Sequence, residues 1–168
     1  KDLVTMMAAH VERPIIFPLS NPTSSSEATP TDLMQWTNNR AIVGTGSPFG
    51  NIMRDGKEYR VDQTNNCYIF PGMGLGLIAV KAKRVTDNMF MAAAKVLAEC
   101  SPSKNNPEAN LLPALTDIRQ VSLKVAIAVA KEAIATGLAE FDSTETLEQY
   151  IQKMRWVPEY ITYRKIIK

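Results

Sequence analysis

Two short apolar runs constrain this chain more than any other feature: "PIIFPL", beginning at Pro14, and "AIVGTG", beginning at Ala41. Neither alternates apolar with polar residues. A run of that kind suits a strand covered on both faces, as in a parallel sheet. Pro18 has no N–H to donate, so pairing of the first run should stop there. Between the runs lies "SNPTSSSEATPTDLMQW". Its Ser-, Asn- and Pro-rich start reads as a loop. Thr29 then takes the N-cap position, with Pro30 first in the helix and Asp32 three residues after the cap. This predicts a helix from Pro30 to about Trp36. Strand, loop, helix and strand in that order make a βαβ unit, with a connection long enough for a crossover. "SNPT" and the later "SPFG" would then follow the carboxyl ends of parallel strands. In open α/β sheets that edge is where ligands bind.

The flanking sequence extends this plan. A helix is expected from Asp2 to about Ala9, with Leu3, Met6 and Met7 on one side and Arg13-Pro14 as its stop. The chain opens inside that pattern without an initiator Met, as a piece of a longer protein would. Asp55-Gly56 is a turn signal for a hairpin-like excursion. Beyond it the pattern is helical. A small-residue helix falls within residues 68–84. Another is capped by Thr86, with Phe90, Ala93, Ala94 and Leu97 on its apolar side. From Thr116 to about Thr136, one face carries Ile118, Val121, Val125 and Val129, and a second carries Leu123, Ile127, Ala130 and Ile134. Two apolar faces require a largely buried middle. Gly137 is the stop, and Asp142 to Glu145 resembles a capping box for a last helix through about Met154.

Composition narrows the function classes. Nineteen basic and seventeen acidic side chains leave a formal charge of +2. That balance argues against nucleic-acid binding by phosphate neutralisation. The longest apolar stretch, "GMGLGLIAV", stops at Lys81, short of the ~20 residues a membrane span needs. The two cysteines, Cys67 and Cys100, form no C-x-x-C pair, and His10 is the only histidine. This speaks against a Cys/His zinc site and for a reducing, cytoplasmic setting.

"NNCYIFPGMGLG", residues 65–76, poses the sharpest question. A dinucleotide fingerprint is G-x-G-x-x-G between a strand and a helix, with an acidic residue about 20 positions later at a strand end. Here the third glycine comes one position early, at Gly76. The preceding residues are "YIFPG", and the later region is helical. Packing is the better reading: glycines let a helix approach a neighbouring backbone, and Gly74→Ala is expected to overpack that contact. Asn65 and Asn66, with Gln63 and Thr64 before them, stand at the mouth of this helix. They suit either of two roles, N-capping or hydrogen bonding to a carboxylate or carboxamide ligand.

Three segments taken together carry a family resemblance: "RPIIFPLSNPTSSSEATPTDLMQWT", "AIVGTGSPFG" and "QTNNCYIFPGMGLGLIAVKAKRVTDNMFMAAAKVLA". In order and spacing they resemble the C-terminal part of malic enzymes, nearest the NAD-linked bacterial large-subunit type, from about Glu12 to about Tyr160. The resemblance implies an α/β fold: the later half of a Rossmann-like nucleotide-binding domain with parallel strands, followed by C-terminal helices. Residues 1–138 would form the C-terminal part of the NAD-binding domain, and 139–168 a C-terminal helix and tail. The implied reaction is oxidation of L-malate with NAD and decarboxylation to pyruvate, assisted by Mg2+ or Mn2+. By resemblance, Ser20 and Asn21 contact the cofactor, and Asn21, Asn65 and Asn66 contact the substrate.

The family's acid–base pair, its acidic metal ligands and its glycine-rich nucleotide loop have no matching positions here. The resemblance therefore implies that the metal is held outside this chain, and that Tyr68 and Lys81 are no substitutes for the acid–base pair. The isolated 168 residues are expected to be inactive without the remainder of the polypeptide. NAD against NADP stays open, because the residues near the ribose 2′ position lie mostly upstream. Malolactic enzymes share much of the pattern, so conversion of malate to lactate is one alternative. A non-catalytic structural or interaction module is another. The terminal "MRWVPEYITYRKIIK" reads as an oligomer-contact arm rather than a surface tail, which leads to the expectation of a homo-oligomer.

Overall fold

Three parallel strands and a packed group of helices organise the chain. The structure, a computed structural model, describes residues 1–54, 56–160 and 162–163. Helix α1 (Asp2–His10) leads to strand β1 (Ile15–Ile16), helix α2 (Pro30–Trp36) and strand β2 (Ile42–Thr45). Strands β3 (Ile52–Arg54) and β4 (Lys57–Tyr59) follow, then β5 (Asp62–Gln63). Helices α3 (Phe70–Ala79), α4 (Asp87–Glu99), α5 (Ile118–Ala135) and α6 (Leu147–Met154) complete the order. This is the expected α/β class.

The βαβ unit forms as the capping chemistry predicts. Thr29 accepts the Asp32 N–H at 3.2 Å and donates its hydroxyl to the Asp32 carboxylate at 2.7 Å. Pro30 opens α2, which buries Leu33 and Met34. These pack with Ala41 and Val43 of the second run. Strands β1 and β2 pair in parallel, Ile15 opposite Ile42 and Ile16 opposite Val43. Arg40 ties α1 to the unit by donating to the carbonyls of Ala8, Val11 and Glu12 at 2.8–3.1 Å. A cation at the carbonyl end of a helix also complements its dipole.

The expectation of a first run covered on both faces needs correction. Only Ile15 and Ile16 of that run pair, and Ile15 is 58% exposed. Within the described sheet, order β1-β2-β5, β1 is an edge strand. The third parallel strand is the larger departure from the sequence reading. β5 pairs with β2 in parallel, Gly44 opposite Asp62 and Thr45 opposite Gln63. It is two residues of polar sequence with no apolar run to announce it. The excursion is an antiparallel hairpin, Ile52 opposite Tyr59. Of its turn signal, Asp55 lies outside the described residues, and Gly56 adopts φ 75°.

The helices bury a separate core. Val125, Ala126, Val129, Ala130 and Ala133 of α5 are fully buried among Met73, Met89, Ala93 and Ile151. The middle of α5 is enclosed, as its two apolar faces require. Helix α3 reaches it through Gly72 and Gly76, four residues apart on one face. A methyl on Gly72 would stand 2.7 Å from Val125 Cβ, and one on Gly76 would be 3.1 Å from Ala126 Cα. Gly74 has nothing near it, so the contact expected there belongs to its neighbours. On α4 the buried positions are Met89 and Ala93, whereas Phe90 is 43% exposed; contact with α5 sets the helix's rotation. Thr86 precedes α4 but makes no side-chain cap. The capping box of α6 is Thr146 with Gln149, four residues beyond the Asp142 start expected from the sequence. Gly137 stops α5 at φ 68°.

Candidate functional site

Three loops leave the carboxyl ends of β1, β2 and β5 side by side. The first carries Ser20 and Asn21, the second Ser47, the third Asn65 and Asn66. Backbone contacts join them. The Gly46 N–H donates to Pro18 O at 2.9 Å, and the Thr64 N–H to Thr45 O at 2.7 Å. The Gln63 amide donates to Gly46 O at 3.2 Å. Gly46 permits the first contact: a side chain there would run into the backbone of Leu19, whose Cα would lie 3.0 Å from its Cβ. The glycine that matters for the site is thus in "GTGSPFG", outside the glycine-rich helix.

The first loop is held from two sides. The Ser20 hydroxyl donates to Glu27, and the Ser20 N–H reaches the same carboxylate at 3.3 Å. That hydroxyl bond is the main cause holding the Glu27 carboxyl below its ordinary range. Asn21 is exposed, and its peptide with Pro22 is cis. Its Oδ1 accepts from the Ser47 hydroxyl at 2.5 Å, and its Nδ2 donates to Leu19 O at 3.4 Å. Ser47 is only 3% exposed. The Thr45 hydroxyl, also buried, anchors it by donating to Ser47 O at 2.8 Å.

The third loop settles one open question. Asn65 caps a 3-10 turn over Asn66–Tyr68, its Oδ1 accepting from the Cys67 N–H at 2.9 Å. Capping therefore occupies one end of the amide. Asn65 as a whole is exposed at the carboxyl edge, so capping and ligand contact are compatible. Asn66 is exposed beside it.

Below this turn is a buried polar staple that sequence reasoning missed. Asp62 of β5 is 1% exposed. Its carboxylate accepts from the Leu111 and Leu112 N–H groups at 2.7 and 3.1 Å, from Asn110 at 3.0 Å and from Arg60 at 2.9 Å. Burial is the largest influence on its pKa and raises it, against the opposing pull of these donors. The Tyr68 hydroxyl donates to Pro113 O at 2.6 Å, tying the asparagine turn to the same segment. A cleft of about 330 Å³ runs beside it, lined by Pro48, Phe49, Gln63, Tyr68 and Thr116 among others. The three asparagines lie outside that cleft, on the open edge.

Burial pushes the Tyr68 phenol and the Cys67 thiol above their usual values. Lys81 follows α3 in a left-handed conformation, φ 51°, at the far end of that helix from the asparagines. Among the described residues no group of three His, Cys, Asp or Glu side chains converges as a metal site.

The sequence model of the family "Malic enzyme, NAD binding domain" matches residues 1–134. An NAD-dependent malic enzyme of Acinetobacter baylyi is 52% identical over 166 residues, 99% of this chain and 29% of that protein. One from Aliivibrio fischeri is 50% identical over 98% of this chain, again 29% of its own length. The chain thus spans under a third of the relatives it matches. Among solved structures, the malic enzyme of Entamoeba histolytica superposes with a TM-score of 0.65 at 28% identity, covering 84% of this chain and 26% of that one. That of Pyrococcus horikoshii gives 0.58 at 32% identity, covering 83% and 28%. With the family matched over most of its length and relatives at half identity across nearly all of it, the chain belongs to the malic enzymes, in the part that carries their NAD-binding domain.

Proposed function

We propose that this chain supplies the amide side of the site in an enzyme that oxidises L-malate with NAD and decarboxylates it to pyruvate. The observation that carries the reading is the gathering of Asn21, Asn65 and Asn66 at one carboxyl edge of parallel strands, in a chain of this family. Ser20 and Asn21 contact the cofactor, and Asn21, Asn65 and Asn66 the substrate. Held there by Ser20 and Asn21, NAD would supply the acceptor for the hydride removed from malate C2. The chain's own contribution is recognition. Nδ2 of Asn65, its Oδ1 fixed by the cap, donates to a malate carboxylate. A charge-assisted bond of that kind is stronger than a neutral one and holds the substrate for transfer.

Proton transfer and metal binding are assigned to the remainder of the polypeptide, on the family resemblance. Residues 1–138 are assigned to the NAD-binding domain and 139–168 to a C-terminal helix and tail. Unpaired Cys67 and Cys100 favour a cytoplasmic setting. No described helix is long and apolar enough to cross a membrane. Trp156, Tyr160 and Tyr163 are 75%, 105% and 88% exposed and favour a homo-oligomeric contact; Ile161 and residues 164–168 of that arm lie outside the described residues. The test is product analysis of the full-length enzyme with malate and NAD. Stoichiometric pyruvate, CO2 and NADH support the reading, and lactate without net NADH overturns it. The 168 residues alone should give no malate-dependent NADH.

A further inference from the structure

The Ser47 hydroxyl and the Asn21 amide meet at 2.5 Å where two strand-end loops touch. A carboxamide presents two ends of nearly the same shape, one a donor and one an acceptor. Which end faces a ligand is therefore decided by its neighbours. A hydroxyl alone cannot decide, because it donates or accepts equally well. The Leu19 carbonyl can, because it only accepts. With Nδ2 3.4 Å from Leu19 O, the reversed amide would set two acceptor oxygens against each other. Oδ1 is thereby turned to Ser47, whose hydroxyl must donate. Among the described residues its other acceptor is Ser20 O, at 3.5 Å. The second Nδ2 hydrogen is left for the open edge.

We propose that Ser47 is a positioning residue for the reaction. By donating to Asn21 Oδ1 it locks the amide so that Asn21 meets malate and cofactor oxygens as a donor. This rests on the assignment of Asn21 to that site. Ser47 suits the task because it is buried and its own carbonyl is held by Thr45, so its hydroxyl has few alternatives. Ser47→Ala leaves the amide with only the long contact to Leu19.

The test is a double-mutant cycle in the full-length enzyme, with steady-state malate and NAD kinetics and thermal unfolding of each variant. Ser47→Ala should lower kcat/KM for malate by about three- to tenfold, the range of a single neutral hydrogen bond. In an Asn21→Ala background, where no amide remains to be held, the same change should cost less than about twofold. Ser47→Cys, close in shape but a weak donor, should fall between wild type and Ser47→Ala, and it replaces Ser47→Ala in the cycle if that variant does not fold. Equal losses in both backgrounds, or no loss from either Ser47 variant, overturn the proposal. If Asn21→Ala itself leaves malate and NAD kinetics unchanged, the assignment of Asn21 to the site fails, and the role of Ser47 fails with it.

Discussion

Gly76 of α3 lies directly against the backbone of Ala126 in α5, so that a methyl on Gly76 would overlap the Ala126 carbonyl oxygen. Two residues earlier, Gly74 faces open space. The two glycines should therefore respond oppositely to the same substitution. Gly76→Ala should destabilise by about 1–3 kcal/mol through overpacking. Gly74→Ala should stabilise by roughly 0.5–1 kcal/mol, because alanine is the better helix former. Thermal unfolding of matched variants checks both. A selective rise in the KM for NAD in Gly74→Ala, with unchanged melting, would instead point to a phosphate-binding loop.

Asn65→Asp separates recognition from capping. The aspartate keeps an oxygen for the Cys67 N–H and caps about as well, so stability should barely change. It also replaces the Nδ2 donor with an anion facing a malate carboxylate. Repulsion at ~4 Å is roughly 1–4 kcal/mol at effective dielectric constants between water and a protein surface. A lost charge-assisted bond adds ~1.5–3 kcal/mol. kcat/KM for malate should fall at least roughly tenfold, while NAD affinity measured without malate changes far less. Near-normal malate kinetics would leave Asn65 as a cap only.

Tyr68→Phe should cost about 1 kcal/mol of stability, since Pro113 O loses its buried donor. The pH profile of kcat should not move, because the phenol takes no part in proton transfer. A shifted profile would place Tyr68 among the acid–base groups.

Asp62 sets a pH dependence of stability. Its folded pKa is raised from 3.8. A carboxyl of that kind contributes stability that is fully present below the unfolded value and is lost as pH rises through the folded value. Asp62→Asn does not titrate. The stability of wild type relative to Asp62→Asn should therefore decline as pH rises from about 3.8 through the folded value, then stay level to neutral pH. Chemical denaturation across that range measures it. A relative stability that grows with pH would show that the donors from Leu111, Leu112, Asn110 and Arg60 outweigh burial.

Local rules made much of this protein legible in one dimension. The α2 cap, the two strands flanking it, the buried length of α5 and the stop at Gly137 all follow from capping chemistry, periodicity and glycine conformation within a few residues. So does the placement of "SNPT" and "SPFG" past strand ends, because a βαβ connection leaves little choice. Tertiary structure alone decided the rest. β5 is two polar residues whose strand character comes from pairing with β2, and Asp62 is buried only because the 110–112 segment folds over it. Whether Gly72, Gly74 or Gly76 meets α5 depends on helix rotation, which no glycine pattern encodes. The hold of Ser47 on Asn21 joins loops 26 residues apart. Hydrogen bonds of that kind belong to the sheet that brings the loops together, and neither local stretch specifies them by itself.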